Sequence, residues 1–206
     1  LPDETLLLPV LHSIPDDIPT YNVTMGLNFK GTPLFNLIDI LFEVHLTGVT
    51  QLHDTGYKVH QYHHLSVTKL LTHPFIRRYE LHLNDDPEQA KYHGMIQQVL
   101  EKMVQENKVL VRAEELLELS KHHPLFEILF TSWRDCDDII VSMFRLIELL
   151  REVYTHGHNT IETEYLYIFY TLVKRLDTIF DCREHKISVR SFKKFLYELI
   201  GQTRLP

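Results

Sequence analysis

Tyr165-Leu166-Tyr167-Ile168-Phe169-Tyr170 is the most apolar and aromatic six-residue run in the chain, and its reading decides the fold. It sits in a longer stretch, Arg134 to Arg183, that reads as two long helices joined at Tyr154-Thr155-His156-Gly157-His158-Asn159. The first arm points Ile139, Ile140, Met143, Phe144, Ile147, Leu150 and Val153 inward. On the second arm Ile168, Leu172 and Ile179 form the core face, while Tyr167 and Tyr170 lie on a different one. A helix this apolar has to be covered on several sides. The hairpin is therefore expected at the core, with the Tyr167 and Tyr170 face either a second layer of core or a partner surface.

Working outward, the flanking segments also carry helical periodicity. Thr32-Pro33 opens a helix to about Leu46, with Leu34, Leu37, Ile38, Leu41 and Phe42 inward and Gly48 at its end. A helix is expected within Gly56 to Thr72, on the stripe Val59, Tyr62, Leu65, Val67, Leu70 and Leu71. A short one follows from Pro74 to Leu83. Asp85-Asp86-Pro87 starts a long outer helix to about Asn107, and two shorter ones span Arg112 to Lys121 and Pro124 to Thr131. Ser188 caps a last helix to Ile200, with Val189, Phe192, Phe195, Leu196 and Leu199 inward and Gly201 as its stop. No segment shows sustained period-two alternation. The expected fold class is all-α: a single compact domain of about eight or nine helices around a long central hairpin.

Residues 1–33 differ. Pro2, Pro9, Pro15, Pro19 and Pro33 exclude long helices there. The segment reads as a proline-rich arm in front of a helical domain, 34–206. Leu7, Leu8, Leu11 and Ile14 are among apolar residues too numerous for a free tail, so the arm is expected to lie on the body or on a partner.

Of the 206 residues, 44% are hydrophobic and 24% charged, ordinary for a globular chain. The net charge of −7 lacks the basic footprint of a direct nucleic-acid binder. Two cysteines, Cys136 and Cys182, make no disulfide framework and suit buried thiols in a reducing compartment; the Asn22-Val23-Thr24 sequon would then be silent. No signal peptide is expected. No apolar run reaches the ~20 residues of a membrane span.

Four patterns could carry chemistry. His60 and His64, at i, i+4 on one expected helix, could reach a single zinc, although no cysteine lies nearby to complete the site. His122-His123 and His156-Gly157-His158 lie at helix ends, where imidazolium suits the dipole. Arg151 and His156 resemble the Arg-x4-6-His signature of HEPN-type helical ribonucleases, and Arg77 and His82 repeat the spacing. Glu152, directly after Arg151, would repel phosphate. Glu114, Glu115 and Glu118 with Asp135, Asp137 and Asp138 gather carboxylates, but at helix starts, where they cap. No P-loop, Rossmann glycine set, serine elbow or HExxH is present. Tyrosine (10) and phenylalanine (11) are instead plentiful, and such side chains dominate protein interfaces.

The opening Leu1-Pro2-Asp3-Glu4-Thr5-Leu6-Leu7-Leu8-Pro9 and the glycine-poor, Tyr/His/Leu-rich helices resemble the bridging subunit of the fission-yeast shelterin complex, which protects telomeres. The resemblance is one of general character over most of the chain. It implies a TRF-homology-like helical homodimer in the nucleus that touches no DNA. Such a protein holds short segments of other telomere proteins and so links duplex-binding and overhang-binding parts of the complex. The resemblance further implies a zinc shared with the overhang-side partner, which would supply most ligands; His12 would be this chain's contribution. Leu7, Leu8, Leu11, Ile14, Tyr167 and Tyr170 would then be partner-binding residues. The competing reading is an RNA-binding or RNA-cutting HEPN-like domain using Arg151 and His156.

Overall fold

A computed structural model describes residues 29–52, 58–156 and 160–203, with Ser13. Among these, nine α-helices accompany one small antiparallel sheet. Helix α1 is Pro33–Thr47; strands β1 and β2 are Val49–Leu52 and Lys58–His63; α2 and α3 are His64–Leu71 and Pro74–Asp85. A 3-10 turn, Pro87–Tyr92, leads to α4, Met95–Glu106, and β3, Leu110–Arg112. Helices α5 to α9 are Ala113–Leu119, Pro124–Phe130, Cys136–His156, Thr160–Phe180 and Val189–Gln202. The chain is a single, mostly all-α domain, as its periodicity predicts. None of these helices is long and apolar enough to cross a membrane.

Helix α1 shares the core with the hairpin. Leu34, Leu37, Ile38, Ile40, Leu41, Phe42 and Val44 are buried around more than half of it, and it touches β2, α2, α3, α8, α9 and the 3-10 turn Phe29–Gly31. Thr32 starts α1 by accepting from the Phe35 amide at 3.2 Å. The hairpin α7–α8 packs beside it. Its buried residues Cys136, Ile139, Met143, Leu146, Leu150 and Val153 face Leu166, Phe169, Val173 and Leu176. Their alternating steps of three and four are those of two helices packed at a shallow angle. Ile179, expected inward, is 59% exposed; Leu176 takes that place.

Three local expectations are corrected. Residues 58–63 are a strand, not helix: β2 pairs with β1 (Thr50 opposite His60) and with β3 (Tyr62 opposite Val111). Leu65 consequently points to solvent. The outer helix expected from 85 to 107 is broken at Gly94, whose φ of 65° lies in the left-handed region. Its second half, α4, has no capping residue of its own. The buried Glu80 carboxylate of α3 accepts the Ile96 and Gln97 amides at 2.9 and 3.4 Å instead. Gly201 does not stop α9, which runs through it to Gln202.

The packed body also starts before the expected boundary at residue 33. Phe29 is fully buried, stacked on Phe169 with centroids 6.3 Å apart and edge-on to Tyr165 at 6.4 Å.

Candidate functional site

The outward side of the hairpin carries a groove of about 350 Å³. From α7 come Ile147, Glu148 and Arg151; from α8 come Thr163, Leu166, Tyr167 and Tyr170. The sequence dictates this directly. Leu166 and Phe169 turn into the hairpin seam, and Tyr167 and Tyr170, each one position further along, fall beside them on the outward flank. Tyr167 is 70% exposed and Tyr170 39%, with the Tyr170 ring tilted against Phe144 at 5.3 Å. The face in question is therefore surface, not a second layer of core. The floor is apolar, from Ile147 and Leu166, and one acid and one base stand at its edge.

Of the other expected partner-binding residues, Leu7, Leu8, Leu11 and Ile14 lie outside the described residues, and so does His12. Arg151 lines the groove. His156 is the last residue of α7, and its side chain lies outside the described residues. Arg77 is bound to Glu80 at 2.6 Å, so its guanidinium supports the cap of α4.

The zinc pair is corrected by the strand. His60 is in β2, with its Nδ1 2.8 Å from Thr50 Oγ1, and His64 is the first residue of α2, with its Nδ1 3.4 Å from the Val109 carbonyl. They do not share a helix face. Among the described residues, no group of three or more His, Cys, Asp or Glu converges to hold a metal. The carboxylates act locally. Asp138 accepts from the Arg134 amide and Nε at 2.9 and 3.0 Å, Asp135 from the Asp137 amide at 3.2 Å, and Glu115 from Lys108 at 2.5 Å. Both thiols are buried; Cys136 Sγ donates to the His185 carbonyl at 3.3 Å, and burial pushes Cys182 well above the usual thiol range.

His123 departs from expectation in sign. It sits at a helix start, not an end, and its Nδ1 accepts the Leu125 amide at 3.1 Å. His73 does the same for Phe75 at 3.3 Å. Each precedes a proline at the first helical position. Burial lowers both to about 4, so they cap as neutral rings. The repeated His-Pro pair was the sequence signal for this.

The chain matches no protein-family model, no curated protein and no solved structure. The telomere resemblance accordingly rests on the sequence features quoted for it.

Proposed function

We propose that the chain is a non-enzymatic adaptor that holds a short segment of a partner protein in the α7–α8 groove. The observation that carries this is the exposure of Tyr167 beside an apolar floor. A tyrosine offers a large, stiff contact area with a polar tip, which suits a peptide interface. A groove of about 350 Å³ takes one or two anchor side chains rather than a whole helix face. Glu148 and Arg151 at its edge give a bound segment polar partners that fix its direction.

The resemblance to the shelterin bridging subunit supplies the setting for this reading. In it the chain is a nuclear homodimer at telomeres that joins the duplex-binding and overhang-binding proteins, regulates telomere length, and shares a zinc with one of them through His12. The acidic net charge is consistent with a protein that reaches DNA only through its partners.

The test is capture of synthetic peptides tiling the fission-yeast telomere proteins, by wild type and by Tyr167→Glu. The reading expects one or more peptides to bind wild type and to lose about tenfold or more in affinity with the variant. Equal capture by both, or none by either, rejects the groove. Sedimentation at micromolar concentration tests the homodimer separately.

A further inference from the structure

The chain is acidic overall, yet one cleft gathers cations. Lys30, Arg190, Lys193 and Lys194, with Tyr197, Glu198 and Gly201, line a shallow, open depression of about 460 Å³ between the turn Phe29–Gly31 and α9. It shares no residue with the α7–α8 groove. Arg190, Lys194, Glu198 and Gly201 recur along α9 at steps of three or four and so form one face.

The cations have different duties. Lys193 is committed to the floor: its Nζ donates to Asp39 Oδ1 at 2.9 Å and lies 5.6 and 5.0 Å from the ring centres of Phe42 and Tyr197. The Tyr197 hydroxyl donates to the same Asp39 oxygen at 2.5 Å, which fixes the ring. Arg190 and Lys194 are exposed on the rim. Lys30 closes the far end, its Nζ 3.2 Å from where a Cβ on Gly201 would stand. Glycine at that position lets the ammonium come close to the end of α9, where a cation complements the helix dipole.

We propose that this cleft binds an extended acidic segment of a partner protein. Arg190 and Lys194 are one turn apart, about 6 Å along the axis. Alternate side chains of an extended chain project to one side about 6.6 Å apart. Two carboxylates at alternate positions therefore meet the two cations in register. Continuing along α9, the segment passes over the Tyr197 ring toward Lys30. Glu198 repels a carboxylate placed over it, so the segment is acidic at its Arg190 end and apolar or neutral over Tyr197. A nucleic-acid strand suits the cleft less: it is charged at every nucleotide, and the surrounding acidic surface repels a long polyanion more than a short one.

The probe is a fluorescein-labelled peptide with glutamates at alternate positions followed by leucine, measured by fluorescence anisotropy. Saturable binding is expected, weakening as salt rises. Arg190→Glu combined with Lys194→Glu should weaken it about tenfold or more, and Glu198→Gln should strengthen it about threefold. Tyr167→Glu should leave it unchanged, which separates this cleft from the hairpin groove. The substituted side chains are exposed, so unchanged melting will certify the fold of each variant. The proposal is overturned if wild type shows no saturable binding, or if charge reversal leaves the affinity unchanged. It is equally overturned if a lysine-for-glutamate peptide, or a single-stranded oligonucleotide of equal charge, binds as tightly.

Discussion

Trp133 lies face to face with His45, ring centroids 3.9 Å apart and planes within 9°. His45 Nε2 donates to the Leu129 carbonyl at 3.0 Å, which leaves Nδ1 as the bare nitrogen, buried and without a partner among the described residues. Burial lowers this imidazole to about 3. A neutral ring is thus fixed against the only tryptophan in the chain, and tryptophan emission reports directly on the core.

That arrangement predicts the response to acid. His45, His73 and His123 are all held below the ordinary 6.5, at about 3, 4 and 4, by burial. As pH falls from 6.5 toward 4, the unfolded chain protonates these rings and the folded chain does not. Their contribution to stability is therefore complete above the unfolded value and is lost as pH drops through the folded ones. Burial lowers His60 as well, so urea midpoints followed by Trp133 emission should decline across this window with a slope of about three to four protons. His123→Asn keeps a cap acceptor and should remove about one proton from the slope; an unchanged slope would count against the neutral cap.

Gly48 is required for room, not for backbone freedom. Its φ of −59° is ordinary, but a Cβ would stand 2.9 Å from His60 Nε2 and 3.3 Å from the Gln61 carbonyl oxygen. Gly48→Ala should cost about 1–3 kcal/mol. Shortening the obstacle with His60→Ala should recover part of the loss in the double variant. Melting curves for the two singles and the double decide; a neutral Gly48→Ala would show that the end of α1 yields freely.

Glu80 is 3% exposed and serves two elements, pairing with Arg77 and capping α4. Glu80→Ala leaves the buried Ile96 amide without its acceptor and should cost about 2–4 kcal/mol in urea denaturation. Glu80→Gln retains an oxygen for that amide and should cost less. Should the two variants be equally damaging, the ion pair, not the cap, is what matters.

Because Tyr167 is 70% exposed, Tyr167→Glu should change stability by no more than about 0.5 kcal/mol. Tyr170, whose ring meets Phe144, should be costlier to replace. Scanning calorimetry of both variants checks the order. Strong destabilisation by Tyr167→Glu would return this residue to the core.

The hairpin was legible because both arms keep an uninterrupted apolar repeat and a glycine-containing polar link divides them. The sheet was not. Val59, Tyr62, Ser66 and Leu70 are all buried and follow one another into α2 at steps of three and four, as a helix would also make. What makes residues 58–63 a strand is pairing on both sides, with β1 at residues 58–61 and with β3, some fifty residues later, at residues 61–63, and the apolar pattern of the segment itself contains no trace of either. The share of the core that α1 takes was obscured for a related reason: its periodic residues were read, but Ile40 and Val44, which widen its buried face, were not. The exposed Tyr167 and Tyr170 were identified as a separate face, and only packing could decide that it was surface. The α9 cleft escaped notice because Lys30 joins it across the fold.

Phe29, set between Phe169 and Tyr165, gives the molecule a mechanical property. The turn Phe29–Gly31 also packs on α1 and α9, so a force applied at Phe29 is shared by α1, α8 and α9. Of these three, α8 is braced along its length by α7 through the hairpin seam. Force spread over three helices in this way has to shear several packed seams at once before Phe29 can leave its seat.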